Sequence, residues 1–162
     1  MIAFGMSCCV VLWDWIGTLV SSGGNPIAGA ESALRHWAGK AQCAIVTNGI
    51  ESCTTSEARS FGWSRYIKCI QGGEDFQKPD PRIILSALKR LGVPSGECVV
   101  MIGDRQTDRQ CALDAGCGSL LVGVDVTLKE LTQMSEAELL RAASARCMER
   151  SGLLVVDMIA NY

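Results

Sequence analysis

Short apolar runs alternate along this chain with longer stretches in which apolar residues recur every three or four positions. The short runs predict buried strands, at 8–13, 43–47, 66–70, 98–102 and 120–124. The periodic stretches predict helices, at 27–38, 51–61, 81–91 and 107–115. Asp80-Pro81 gives the third helix a strong start signal and Gly92 ends it. A further amphipathic helical region covers 127–150, broken near Ser135, and a last strand is predicted at 153–156.

Strands that alternate with helices of ten or more residues are typical of a parallel sheet covered by helices on both faces. The sequence therefore predicts an α/β fold: a three-layer, Rossmann-like, doubly wound sheet. The length of 162 residues favours a single domain, 1–162, with a substantial core.

Composition indicates which binding partners and which cellular compartment to expect for this chain. The net charge is −2, and no run of Lys or Arg exceeds two residues, so we expect no nucleic-acid binding. No stretch approaches the roughly 20 apolar residues of a membrane span, and the apolar start lacks the basic residues of a signal peptide. The nine cysteines include no C-x2-C pair, which favours buried thiols in a reducing cytoplasm over a zinc site or a disulfide framework.

Polar residues that could take part in catalysis or ligand binding follow the predicted strands. Asp14 ends the first strand, Thr47-Asn48 ends the second, and Asp104 and Asp108 follow the strand at 98–102. Lys78 lies just before the helix that begins near Pro81. Ligands of open parallel sheets bind outside the carboxyl ends of the strands, so we expect these residues to meet at one edge.

Such a set suits phosphoryl transfer. Asp14 can attack phosphorus and form an aspartyl-phosphate, which divides one difficult step into two. Lys78 can neutralise both this nucleophile and the phosphate, and Thr47 and Asn48, with nearby backbone amides, can bind phosphate oxygens. We therefore predict Asp14 and Lys78 as catalytic residues, with Thr47, Asn48 and Lys78 binding phosphate.

The same edge offers oxygen ligands for a metal ion. Mg²⁺ prefers an octahedron of oxygens, which the Asp14 carboxylate, the backbone carbonyl of Ile16, Asp104 and water could provide. Asp108 is a further candidate ligand. The predicted cofactor is therefore Mg²⁺.

Four segments together resemble the motifs of the haloacid dehalogenase superfamily. They are the D-x-D-G-T-L-like stretch 14–19, the strand end 45–49, the lysine-proline stretch 78–81 and G-D-x-x-x-D at 103–108. They occur in the family's order, each at the expected strand end. Most members are magnesium-dependent phosphatases, so the resemblance implies a hydrolase acting on a phosphorylated substrate.

Ile16 departs from that pattern. In family phosphatases an aspartate at this place protonates the leaving group and later activates water. Losing a general acid–base typically lowers the rate by about 10²–10⁴-fold. The chain could be a slow phosphatase, an enzyme that stops at a long-lived aspartyl-phosphate, or a non-catalytic relative that binds Mg²⁺ and phosphorylated ligands. A true dehalogenase is less favoured, because the acids of the fourth motif are present.

The resemblance also bears on domain organisation. Family members carry cap domains after the first or second motif, but here only about ten residues, 20–29, separate the first motif from the next helix, and one helix and one strand account for 50–77. We therefore expect no cap domain and an open site. An open site suits a macromolecular substrate, or a homo-oligomer in which a second copy of the chain covers the site and 127–150 forms the interface. Trp13 and Trp15 could stack on a substrate ring, although core packing is expected for at least one. His36 is expected to be structural.

Overall fold

The computed structural model of the chain describes residues 10–96 and 98–150. The strands are β1 Val10–Trp13, β2 Gln42–Val46, β3 Cys69–Gln71, β4 Val99–Gly103 and β5 Gly118–Leu121. The helices are α1 Ala30–Ala38, α2 Glu51–Ser60, α3 Arg82–Leu91, α4 Gln106–Asp114, α5 Leu128–Leu131 and α6 Glu136–Arg150. The strand predicted at 153–156 lies outside the described residues.

The five strands form one parallel sheet in the order β3-β2-β1-β4-β5. In the centre, Trp13 of β1 pairs with Ile45 of β2 on one side and Ile102 of β4 on the other. The chain reverses its winding direction after β3, so β1 and β4 are neighbours at the switch point where this class of fold binds ligands.

Alternate residues of the central strand face opposite layers, as expected for a period of two. Val11 and Trp13 pack into a core with Leu34 and Trp37 of α1. Val10 and Leu12 pack into a second core on the other face, which includes side chains of α3 and α4. The sheet is thus covered on both faces, which confirms the predicted three-layer α/β architecture.

Several predicted boundaries differ from the structure for local reasons. Helix α1 begins at Ala30 rather than 27, because Gly29 has a left-handed φ of 87° that interrupts a helix. Strand β3 starts only at Cys69, after a 3₁₀ turn at Ser64–Tyr66, and β5 ends at Leu121. Helix α3 begins one residue later than predicted, and a carboxylate oxygen of Asp80 accepts a hydrogen bond from the Arg82 amide.

The expected break in the last helical region is present. Between α5 and α6, the amide of Ser135 donates to Glu138, and the amide of Glu138 donates to the Ser135 hydroxyl. This reciprocal pair satisfies backbone donors at the start of α6. Across 10–96 and 98–150, none of the helices combines the length and apolar character needed to cross a bilayer.

The segment between β1 and α1 is a compact loop that leads away from Asp14. The amide of Gly17 donates to the carbonyl of Val20, and the amide of Ile27 donates to that of Leu19. Val20 also forms an isolated bridge with Pro26. In this described loop, as in 50–77, no cap domain is inserted, as predicted.

Candidate active site

The carboxyl edge of the sheet gathers the polar residues that follow the central strands. Asp14 continues β1, and its amide donates to the carbonyl of Ile102 at 2.9 Å. Thr47 continues β2, and its amide donates to the carbonyl of Gln71 at 3.0 Å. These sheet-like hydrogen bonds extend beyond the strands and fix the direction in which both side chains leave the sheet.

Lys78 is the cationic centre of this edge. Its Nζ donates to Oδ1 of Asp14 at 2.7 Å, to Oδ1 of Asp108 at 2.7 Å and to the carbonyl of Val46 at 3.0 Å. All three acceptors are buried with it. Because an ammonium group has three N–H bonds, these contacts use its full donor capacity.

The Lys78 loop is itself tied to the end of β2. The side-chain oxygen of Asn48 accepts a hydrogen bond from the Lys78 amide at 2.8 Å. The hydroxyl of Thr47 accepts one from the Gly49 amide at 3.1 Å and so keeps its own proton for another acceptor. Both residues predicted to bind phosphate therefore lie beside the lysine, and part of their hydrogen bonding organises the loops.

Asp108 occupies the first turn of α4 and is almost fully buried. Its Oδ1 accepts from Lys78, and its Oδ2 accepts from the backbone amides of Asp104 and Arg105 at 3.2 and 3.1 Å. A Cβ at Gly103 would collide with this carboxylate. Glycine at 103 therefore allows the close approach that joins the end of β4 to α4.

Thr18 lies between Asp14 and Asp104, on the side of the site away from Asp108. Its hydroxyl is fully buried and lies 3.3 Å from Oδ2 of Asp14 and 3.2 Å from Oδ1 of Asp104. Gly17, with φ of 89°, turns the chain toward this position, and a Cβ there would collide with the Asp104 carboxylate. The Gly-Thr pair after the first strand is thus explained by close packing against a second acid.

The charges of the site perturb one another. Burial raises the pKa of Asp14, and the neighbouring Asp104 raises it further, against the opposing effect of the Lys78 ammonium. Burial would lower the pKa of Lys78, but Asp14 and Asp108 outweigh it and raise that pKa above its usual value. The lysine is consequently a firmly protonated cation held between carboxylates.

A cavity of about 150 Å³ opens at this point. Its lining comprises Asp14, Ile16, Thr47, Asn48, Gly49, Lys78, Arg105, Thr107 and Asp108. Six of the residues predicted from the sequence line it, and Asp104, the seventh, lies beside it. The structure therefore brings the predicted set together, while the role of each residue stays a prediction.

Four residues of the site were not predicted as site residues from the sequence: Thr18, Gly49, Arg105 and Thr107. Arg105 lies between the two acids of the fourth motif, and its Nε is 4.0 Å from Oδ2 of Asp104. Its side chain is 73% exposed, so it can reach a ligand at the mouth of the cavity. Its place two residues after the end of β4 was the available signal, because residues there reach the ligand edge of the sheet.

Other residues considered from the sequence lie away from the cavity. Trp13 and Trp15 are both buried, and Trp15 packs against Phe61 and Trp63 at ring distances of 6.4 and 5.8 Å. Neither tryptophan is available to stack on a substrate, so that alternative is wrong for both. His36 contacts Trp37 and the backbone carbonyl of Met134, which is consistent with a structural role.

A larger groove of about 520 Å³ lies along α2, lined by Glu51, Ser52, Thr55, Ser56, Arg59 and Glu74. It is wide and shallow, and its charged side chains, Glu51, Arg59 and Glu74, are half-buried or exposed, so it holds no buried cation between carboxylates. Chemistry depends on convergent groups more than on volume, so the smaller cavity is the better candidate.

The donor set fits a hard divalent cation. Carboxylate oxygens of Asp14, Asp104 and Asp108 all lie within 4.8 Å of one another. Oxygen donors of this kind suit Mg²⁺, Ca²⁺ or Mn²⁺ rather than softer metals. The geometry is therefore compatible with a divalent metal site but does not select one ion.

Comparisons with known proteins agree with this architecture. A phosphoglycolate phosphatase from Salmonella typhi is 30% identical over 98 residues, which is 59% of this chain and 38% of that protein. The flavin mononucleotide hydrolase 1 of Arabidopsis thaliana is 33% identical over 75 residues, covering 46% of this chain and 29% of that protein. The chain thus spans well under half the length of these curated relatives.

Similarity in structure extends further along the chain. The crystal structure of a hydrolase of the haloacid dehalogenase superfamily from Ehrlichia chaffeensis superposes on this chain with a TM-score of 0.67 at 20% identity, covering 76% of this chain and 94% of that one. The family model for haloacid dehalogenase-like hydrolases matches residues 14–122, from the first aspartate to the end of the sheet. On this evidence, the chain belongs to the haloacid dehalogenase-like hydrolases.

Proposed function

We propose that this chain is a phosphatase that depends on a divalent metal, Mg²⁺ in the first instance, and that Asp14 is its nucleophile. The observation that carries the proposal is the convergence of Asp14, Lys78, Asp104 and Asp108 at one edge of the sheet. The names of the curated relatives, a phosphoglycolate phosphatase and a flavin mononucleotide hydrolase, support a phosphorylated substrate.

In the proposed reaction a carboxylate oxygen of Asp14 attacks phosphorus, the bond from phosphorus to the leaving oxygen breaks with its electron pair on that oxygen, and Asp14 carries the phosphoryl group as an aspartyl-phosphate. The Lys78 ammonium, fixed between Asp14 and Asp108, stabilises negative charge on the phosphoryl oxygens. Thr47 and Asn48 bind those oxygens from the end of β2. Water then releases inorganic phosphate and restores the Asp14 carboxylate.

The metal would be held by Asp14, Asp104 and the backbone carbonyl of Ile16, and it would supply charge neutralisation to the phosphoryl group. Asp108 already accepts three hydrogen bonds, from Lys78 and two backbone amides. We therefore expect Asp108 to contribute more by positioning Lys78 than by serving as a metal ligand.

We also propose that turnover is impaired, because Ile16 can neither protonate a leaving group nor activate water. The same observation favours a second candidate function, a non-catalytic relative that binds phosphorylated ligands. Retention of the buried Asp14–Lys78 ion pair supports the enzyme. Two apolar residues in place of this pair would stabilise the fold about as well, so stability alone gives no reason to keep the two charges.

The substrate is proposed to be a phosphorylated molecule in the cytoplasm. The described residues place no cap over the cavity, so a macromolecular substrate can reach it, and a second copy of the chain could cover it. Size-exclusion chromatography with light scattering would test the homo-oligomer, and a single monomer mass across the working concentration range would exclude it.

The test of function is phosphate release from 4-nitrophenyl phosphate with and without Mg²⁺, in the native chain and in Asp14→Asn. Release that requires both Mg²⁺ and Asp14 is expected. Asp114→Asn, a change of an exposed aspartate on α4, is the matched control and should leave the rate unchanged. Equal background rates in the native chain and Asp14→Asn at every pH would support the non-catalytic alternative.

A further inference from the structure

Proton supply at the cavity limits which phosphates can be cleaved there. The side chain of Ile16 is 39% exposed and lines the cavity beside Asp14 and Lys78. The resemblance to family phosphatases implies that a side chain at this place would face the oxygen that leaves phosphorus. An isoleucine offers no proton at that place.

The remaining described residues of the lining do not replace it. Thr47, Asn48, Gly49 and Thr107 carry hydroxyl, amide or no ionisable groups, and none of these gives up a proton readily near neutral pH. Arg105 carries a guanidinium, a group that donates hydrogen bonds and stabilises negative charge but does not serve as a general acid in proteins.

The hydrogen-bonding positions of Lys78 and Asp108, two charged residues of the lining, are already occupied by other protein groups. Each of the three donor positions of Lys78 is used, by Asp14, Asp108 and the carbonyl of Val46. The Asp108 carboxylate accepts hydrogen bonds on both oxygens. Neither can deliver a proton to substrate without breaking the contacts that hold the nucleophile in place.

We infer that the substrates of this site are activated phosphates, in which the leaving group departs as a stable anion: acyl phosphates, phosphoanhydrides or phosphate esters of acidic hydroxyls. This inference rests on the proposed function. It specifies leaving groups whose conjugate acids have a pKa of about 7 or lower, for which protonation contributes little to the rate.

The chemistry balances without an internal acid. A carboxylate oxygen of Asp14 forms a bond to phosphorus while the bond from phosphorus to the leaving oxygen breaks, and the leaving oxygen keeps the electron pair. From an acyl phosphate it departs as a carboxylate and needs no proton. Water then attacks phosphorus, the bond to Asp14 breaks, and the proton lost by water passes to solvent. An alkyl phosphate would instead have to release an alkoxide.

The test compares matched pairs of substrates that differ chiefly in the leaving group. Acetyl phosphate is paired with ethyl phosphate, and 4-nitrophenyl phosphate with phenyl phosphate. The value of kcat/KM is the appropriate quantity, because it reports steps up to the first irreversible one, here transfer to Asp14. The native chain is expected to prefer acetyl phosphate over ethyl phosphate by at least about 100-fold, the scale of a missing general acid.

Two variants at position 16 separate the effect of proton transfer on kcat/KM from the effect of a polar side chain. Ile16→Asp should raise kcat/KM for ethyl phosphate by about 10²-fold or more and change that for acetyl phosphate much less. Ile16→Asn has the same shape as the aspartate but cannot transfer a proton, so it should keep the native preference. Rates in Asp14→Asn are subtracted throughout as the background.

The outcomes distinguish this inference from the proposed function. Asp14-dependent hydrolysis of ethyl and acetyl phosphate at rates within about 10-fold of each other would overturn the inference and leave the phosphatase intact. So would an equal gain from Ile16→Asn and Ile16→Asp. If no substrate is hydrolysed in an Asp14-dependent manner, including by Ile16→Asp, the proposed function itself fails.

Discussion

Replacing Lys78 by methionine should reveal how strongly the site depends on its buried cation. The change keeps most of the side-chain length but removes the ammonium that contacts Asp14, Asp108 and the carbonyl of Val46. The side chains of Lys78 and Asp108 are 4% and 2% exposed, so water cannot easily replace the lost charge. Two carboxylates would be left facing each other with no compensating group between them.

The expected loss of stability is large. Removing one partner of a buried ion pair typically costs about 3–5 kcal/mol, because the remaining charge stays desolvated. For a chain of this length each kcal/mol lowers Tm by about 2–4 °C, which gives a decrease of about 6–20 °C. Lys89→Met is the matched control: this lysine is exposed on α3, and a surface change of this kind usually stays within about 0.5 kcal/mol.

Thermal unfolding followed by circular dichroism would measure both variants, at about pH 7 and at about pH 5. The raised pKa of Lys78 means that its stabilising effect is complete below the ordinary lysine pKa and is lost only as the pH rises through the folded value. Measurements at neutral pH therefore capture the whole effect.

The pH dependence of the variant tests the electrostatic cause. Burial raises the pKa of Asp14, and without the opposing ammonium that pKa should rise further. An acid with a higher pKa in the folded state binds protons more tightly when folded, so acidification favours folding. The deficit of Lys78→Met relative to the native chain should narrow as the pH falls. A Tm within about 2 °C of the Lys89→Met control at neutral pH would refute the reasoning.

Three other predictions follow from the same geometry. Mixing with 4-nitrophenyl phosphate should produce a burst of nitrophenolate close to one equivalent, because breakdown of the aspartyl-phosphate lacks a base; stopped-flow absorbance checks this, and a strictly linear trace would contradict it. Thr18→Val should weaken Mg²⁺ binding by about 10–100-fold and Thr18→Ser much less, because the hydroxyl lies between Asp14 and Asp104; calorimetry measures the affinity, and equal effects of both variants would point to packing alone. Burial raises the pKa of Cys43 to about 11, so at mildly alkaline pH iodoacetamide should label exposed Cys53 and spare Cys43 in the folded chain; peptide mass spectrometry would show whether that order holds.

Hydrophobic pattern was sufficient to predict the layers of this fold. The strands β1, β2 and β4 are buried on both faces, so their apolar runs are continuous and easy to identify. The start of α1 was misplaced because the apolar period includes Ile27, whose amide instead donates to the loop carbonyl of Leu19. Periodicity identifies the buried face of a segment, but it does not show where the backbone stops being helical.

The site was predictable to the extent that strand ends determine it. Asp14, Thr47 and Asp104 follow parallel strands, and topology alone brings such residues to one edge. Contacts that depend on side-chain packing were not predictable in this way. Nothing in the sequence shows that the Thr18 hydroxyl lies between two carboxylates, or that Trp15 faces Phe61 and Trp63 instead of the cavity.

The substitution at position 16 is separable from the electrostatic framework around it. Three carboxylates and one ammonium carry a formal charge of −2, which a divalent cation would neutralise before a phosphate dianion enters. The side chain of Ile16 contributes no charge to this balance, and in Ile16→Asp the new carboxyl must hold a proton to act as an acid, so it too adds no charge when the phosphate binds. On the proposed mechanism, isoleucine therefore removes proton transfer and leaves the charge balance that binds the dianion unchanged. In the proposed mechanism this framework still binds the phosphoryl group for attack by Asp14, and the leaving group decides whether the reaction proceeds.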